Sequence, residues 1–388
     1  MTGVRKDIRT LSKAELDDLV RAWHLVQNVD PADPDSFFQI AGYHGEPFRG
    51  AGYNNPQWWG GYCNHGNILF PTWHRAYVRR LEQALQKQVP GVTMPYWNEI
   101  DEETLTSGVP PIFLQETYTF TDGKTIDNPL LSYTFQKKIQ DRIYQPFPDA
   151  DYSKPKGYAT VRYPFSGLVG QADVKTTEDY NAKMRALGID KTNAMLNNNV
   201  IEWLTQEFYY PGGEGVKPMK AHVAEKYLEC LNAPNYAVFS NTTSAERWND
   251  DLPEGVKLAV PVESPHNSIH LAVGGIHIPS QDADAADAPD ANGDMGENDT
   301  ASFDPIFFFH HCFIDRMFWT WQVRHHQEHA LVLGQEFAEY PGTNSVDAQG
   351  PTPGVPGNTW LTLESPLTPF KKPDGSCMTS NVSPSPLN

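Results

Sequence analysis

Positive charge is scarce in this chain: 30 Lys and Arg stand against 48 Asp and Glu, a formal net charge of −18 at pH 7. Nucleic acids and anionic membrane surfaces are held chiefly through Lys and Arg contacts to phosphate, so this balance speaks against both as partners. Long apolar runs are missing too. No segment reaches the roughly 20 apolar residues of a membrane-spanning helix, and the opening MTGVRKDIRTLSKAEL has no apolar stretch of the signal-peptide kind. The expectation is a soluble protein, cytoplasmic or a processed secreted form, of unknown oligomeric state. Cysteines are few: Cys63, Cys230, Cys312 and Cys377 lie far apart and form no CxxC pair, which excludes a disulfide scaffold and a zinc ribbon. Linker-like composition breaks are absent before the Pro-, Gly- and Ser-rich end, so residues 1–388 read as a single domain with 341–388 as an irregular tail.

What the chain does have is aromatic bulk: 10 Trp, 17 Tyr and 19 Phe, enough for a sizeable core. Ser12 and Glu15 form a capping box for a helix to Gln27, with Leu16, Leu19, Val20, Trp23 and Val26 on one face. A shorter helix spans DSFFQIAGYHG, and Pro71 opens a third that carries His74 beside Tyr77, Val78 and Leu81. From about Thr104 to Pro164, Pro, Gly and short runs such as TYTF and YATVRY predict long loops with a few short strands. TNAMLNNNVIEWLTQEFYY and VKPMKAHVAEKYLECLN read as helices. Ser264 is a cap candidate with Pro265 at the first helical position, and Asp304 caps and Pro305 opens the apolar helix PIFFFHHCFIDRMFWTWQVRHH.

Thirteen histidines sort by setting. His24 lies beside an apolar stripe, His325, His326 and His329 sit at a polar helix end, His222 receives no chemistry, and His277 stays unassigned. Two groups remain: His44, His65 and His74, then His266, His270 and one of His310 or His311. His266 and His270 fall four apart, so one helix face lets both imidazoles converge on one ion. Several buried imidazoles need partners, which a shared metal supplies. Six imidazoles favour copper, zinc or iron over calcium or magnesium, and spacing alone leaves that choice open.

HGNILFPTWHRAYVRRLE and DPIFFFHHCFID resemble the two signatures of the type 3 copper proteins, the tyrosinases, catechol oxidases and molluscan-type haemocyanins. YHG, MPYWN, NPLLSYTF, PHNSIH and ESPLTPF extend the likeness over most of the chain, which looks most similar to mushroom-type tyrosinases. The resemblance implies a mainly α fold whose central four-helix bundle holds a binuclear site of two copper ions. It makes His44, His65 and His74 ligands of the first copper and His266, His270 and His311 ligands of the second, with His310 set aside by analogy only. It also implies phenolic substrates and O2.

Cys63 lies two residues before His65, so in an extended segment both project to the same side. The family pattern implies a thioether between them. Glu263 and Asn267, flanking His266, match residues that hold a water for deprotonating phenol; the alternative is a helix-end carboxylate and a solvent-facing amide. Leu271 matches a position bordering the substrate funnel, and Asp315, one turn after His311, is a candidate to orient an imidazole or to pair with Arg316. Asn98 departs from the aspartate that usually follows PYW, and the chain to Asn388 leaves no room for the C-terminal lid domain of latent members. The expected activity is hydroxylation of monophenols to o-diphenols and oxidation of o-diphenols to o-quinones. Competing readings are a catechol or o-aminophenol oxidase, a haemocyanin-type O2 carrier, which the absence of tandem repeats disfavours, and a binuclear zinc hydrolase.

Overall fold

The computed structural model describes residues 4–51, 60–141, 153–210, 219–275, 290–347 and 350–382; His277 lies outside them. Among the described residues eleven α-helices dominate: α1 (Lys13–Gln27), α2 (Phe37–Gly42), α3 (Phe70–Gln88), α4 (Glu102–Ser107), α5 (Val174–Ala186), α6 (Ile189–Thr205), α7 (Val223–Cys230), α8 (Tyr236–Ser240), α9 (Thr242–Asp250), α10 (Glu263–Gly274) and α11 (Ile306–Arg324). The strands form three antiparallel pairs: β1 (Thr117–Thr119) with β2 (Thr125–Asp127), β3 (Phe208–Tyr210) with β4 (Met219–Ala221), and β5 (Pro366–Lys371) with β6 (Cys377–Thr379). The chain is mainly α, as its patterning predicts.

Helix α1 begins with the capping box, the Ser12 hydroxyl accepting from the Glu15 amide while Glu15 accepts from the Ser12 amide at 2.8 Å. Leu19, Val20, Trp23 and Val26 of its apolar stripe are buried and Leu16 partly so, with Trp23 stacked on Phe309 of α11 at 5.5 Å, and His24 is exposed. Helix α3 packs against both α1 and α11, so it runs through the centre of the molecule. Tyr77 of α3 donates to the Ala41 carbonyl at 2.9 Å, tying α2 into the same core. Helix α10 packs against α6 and α7.

Several local expectations shift. The aromatic end of QEFYY leaves the helix and pairs as β3 with β4, because aromatic residues suit a pleated ribbon. Helix α7 therefore starts late, capped by His222, whose Nδ1 accepts from the Glu225 amide at 3.1 Å. YATVRY makes an isolated bridge, Ala159 to Thr134, and no strand. Helix α10 opens at Glu263 with no side-chain cap; the Ser264 hydroxyl instead accepts from buried Lys226 at 3.1 Å. Asp304 does receive the Ile306 amide, at 3.1 Å, with its carboxylate also clamped by Arg162. The end region is less irregular than its proline content suggests. Its β5–β6 ribbon lies on α3, Leu367 is buried, and the Thr368 carbonyl accepts from the Trp73 indole at 2.8 Å.

Candidate metal centre

The first group of histidines is gathered from three separate pieces of chain. His44 sits in the turn after α2, His65 in an irregular stretch, and His74 in the first half of α3. Their ring centroids form a triangle with sides of 5.0, 5.2 and 5.5 Å. Gly66, at φ +67°, gives the chain a left-handed turn directly after His65. His44 and His74 are buried, and each donates its Nδ1 hydrogen to a carbonyl: Asn298 at 2.9 Å and Phe70 at 2.8 Å respectively. Cys63 is a buried cysteine whose Sγ lies 2.9 Å from the His44 carbonyl, and His44, Cys63 and His65 each offer a donor atom within 4.8 Å of the others.

Helices dictate the second group. His266 and His270 project from one face of α10, while adjacent His310 and His311 come from α11. The Nε2 atoms of His266, His270 and His311 converge, separated by 3.0, 3.2 and 3.4 Å. His266 Nδ1 donates to Asn267 Oδ1 at 2.8 Å, and His270 Nδ1 to the Met295 carbonyl at 2.9 Å. The groups adjoin each other, His74 stacking on His311 at 4.6 Å. One nitrogen from each of His266, His270, His310 and His311 lies within 4.8 Å of one on every other, so both adjacent histidines belong to the cluster.

Electrostatics fits this constellation to metal. Burial first, and the neighbouring imidazoles second, push His44, His74, His266 and His311 well below the usual histidine range, and His270 down to about 3. These rings are neutral, which is the ligating form. A neutral ring that donates through Nδ1 keeps a bare lone pair on Nε2. The Nε2 atoms of His44 and His74 have no hydrogen-bond partner among the described residues, and those of His266 and His270 face each other as two acceptors. Buried acceptors left this way cost about 1–3 kcal/mol each. Copper ions, well suited to imidazole nitrogen, would satisfy them.

A cavity of about 350 Å³ opens beside the two groups, lined by His65, Glu263, His266, Asn267, His270 and Leu271 among others. Glu263 is buried and its carboxylate accepts from the Gly66 amide at 2.7 Å, the Thr242 amide at 2.8 Å and the Thr242 hydroxyl at 3.0 Å. Burial outweighs these bonds and raises its pKa to about 7. Asn267 is exposed on the cavity side, and its amide oxygen holds His266. Asp315 calls for a correction: its oxygens accept from Arg75 at 2.5 Å and Arg5 at 2.8 Å, so it bonds helices together rather than orienting an imidazole. Arg316 lies instead over the Tyr96 ring. Two contributors escaped the sequence reading. Thr242 grips Glu263, and nothing in its local pattern signals this. Glu99 accepts from His310 Nδ1 at 2.6 Å, and a carboxylate one residue beyond the anomalous Asn98 was its visible trace.

Among known proteins, residues 34–324 match the family model for the common central domain of tyrosinase. The chain is 54% identical over 390 residues to a tyrosinase of Aspergillus oryzae, a match covering 97% of this chain and 70% of that protein. Tyrosinase HcTyr2 of a Hahella species is 48% identical, covering 95% and 68%. A solved tyrosinase from Burkholderia thailandensis superposes with a TM-score of 0.85 at 50% identity, covering 97% of this chain and 71% of that one. Recombinant mushroom tyrosinase gives 0.63 at 25%, covering 100% and 60%, a weaker likeness than its motifs suggest.

Proposed function

The chain belongs to the tyrosinase family of dicopper enzymes, oxidases and monooxygenases acting on phenols, and from that premise we propose that it performs both reactions, hydroxylating monophenols and oxidising o-diphenols to o-quinones. In this reading His44, His65 and His74 hold one copper and His266, His270 and His311 the other. When bound, the copper pair supplies the activation of O2.

The observation that carries the reading is the buried Glu263 carboxylate on the cavity wall shared by both histidine groups. A monophenol must lose a proton whose reference pKa is near 10. A carboxylate raised to about 7 is a far better acceptor than an ordinary one, because proton transfer is most efficient when the pKa of the base approaches the working pH. The Thr242 and Gly66 donors hold the carboxylate in place while the proton moves to it. Uncharged Leu271, at the cavity wall, leaves an aromatic ring free to enter, and Asn267 keeps the His266 ring aligned.

The test is oxygen uptake by the copper-loaded protein with a monophenol and, separately, with the matching catechol, a trace of catechol removing any lag. Turnover of both supports the proposal. Turnover of catechol alone would make the protein a catechol oxidase and reduce Glu263 to a structural role. A reversible oxygenated spectrum without turnover would point to a carrier.

A further inference from the structure

The second group holds one imidazole more than a three-histidine metal position requires. His310 is fully buried on α11, one residue before His311. Its Nδ1 hydrogen goes to Glu99 at 2.6 Å, and the other oxygen of Glu99 accepts from the Tyr227 hydroxyl. All three side chains are buried. With Nδ1 occupied, the lone pair of the ring sits on Nε2, and that atom has no hydrogen-bond partner among the described residues. The ring stacks on His266 at 5.2 Å and lies 5.1 Å from His270.

The backing partner is unusual within the centre. His44, His74 and His270 lean on main-chain carbonyls, whereas His310 leans on a carboxylate. A carboxylate behind an imidazole fixes its tautomer, aims the far nitrogen and makes it a stronger ligand. Here the far nitrogen belongs to a cluster of four imidazoles able to share one ion, which is where such backing serves a cation.

We propose that His310, backed by Glu99 and Tyr227, is an exchange ligand of the second copper position. It takes the incoming ion together with His266 and His270 before His311 completes the resident set, and takes it again as the ion leaves. The proposal rests on the reading in which His266, His270 and His311 are the resident ligands. It predicts that His310 controls the rates of copper entry and exit while leaving the final occupancy unchanged.

The apoprotein would be titrated with Cu(I), its occupancy measured by metal analysis, and uptake and loss followed through tryptophan quenching and transfer to a coloured Cu(I) chelator. Wild type should reach two coppers per chain in two phases. His310→Gln should reach the same occupancy with one phase slowed by roughly tenfold or more in both directions. Glu99→Gln should show a smaller slowing of the same phase, and it decides the matter if His310→Gln does not fold. Unchanged phases in a folded variant would overturn the proposal. So would a fall to one copper in His310→Gln, since that would make His310 a resident ligand. Wild type binding no copper would instead sink the dicopper reading before any variant is compared.

Discussion

The two histidine groups reach similar ends by different means. In the second, helix geometry does most of the work: a four-residue step on α10 and an adjacent pair on α11 bring three Nε2 atoms within 3.4 Å. The first joins a turn, an irregular stretch and a helix, and depends on contacts far apart in sequence, such as His44 with the Asn298 carbonyl. Helical spacing sets where a ring sits, yet in both groups something outside the helix sets where it points. Asn298 aligns His44 and Met295 aligns His270, so one short loop orients a ring in each group. That loop is braced at its ends by buried ion pairs, Asp294 with Lys154 at 3.0 Å and Asp299 with Arg49 at 2.8 Å.

The largest effect comes from deleting a ligand in each group. Both His74→Ala and His266→Ala should lose turnover to background. Their copper content should differ. The second group retains three imidazoles without His266, because His310 is present, whereas the first retains two without His74. Metal analysis should therefore give one copper per chain for His74→Ala and between one and two for His266→Ala. Equal values would erase the asymmetry.

Glu263 joins the groups, standing three residues before His266 and accepting from the amide that follows His65. Glu263→Gln should lower monophenol turnover about 10²- to 10⁴-fold, the usual worth of a positioned base, and catechol turnover far less. Its pKa is raised to about 7 by burial, and the base acts only when ionised, so monophenol turnover should fall as pH drops through that region. Bound copper cations favour the ionised form, which moves the acid limb below 7. A pH profile of the Gln variant that keeps the same limb would assign it to another group.

Next in size is the weld between the helices that carry the groups. Arg75 follows His74 on α3, Asp315 lies one turn after His311 on α11, and their buried side chains meet at 2.5 Å. Removing one partner of such a pair costs about 3–5 kcal/mol, because the other charge is left buried. Asp315→Asn should show this as a lower urea midpoint of the apoprotein. A loss below about 1 kcal/mol would mean that neither Arg75 nor Arg5, which also reaches Asp315, contributes through its pairing and that the two helices are joined by packing alone.

How much of this could be read from the chain follows the same division. The α10 pair was legible as an i,i+4 step, and α1 as a capping box, because both depend on residues within one or two turns. His44 and His65 were left as candidates once the other histidines were sorted by setting, but their assignment as ligands came only with the family motifs, since no local rule relates a turn after α2 to a loop twenty residues on. Asp315 was misread for the same reason. Its spacing from His311 suits an imidazole, but the arginines that claim it come from residues 5 and 75. Likewise β3 and β4 were absorbed into helices because their pairing lies across a gap that periodicity does not see.

The smallest predicted effect tests whether the first group compensates for its lack of helical support. Cys63 packs against the His44 carbonyl and shares the donor cluster with His65. A thioether to the His65 ring would remove the thiol hydrogen and one ring hydrogen, passed to O2, and would lock a ligand that no helix carries. The intact mass of copper-exposed protein should then fall by two hydrogen atoms, and Cys63→Ser should not show the change. Without that lock, affinity of the first position for copper should weaken about 10- to 100-fold, as for other lost orienting contacts, and the second position should be unaffected. If Cys63→Ser weakens both positions equally, the cysteine acts through the shared loop that Asn298 belongs to, and the two groups are less independent than their helices make them look.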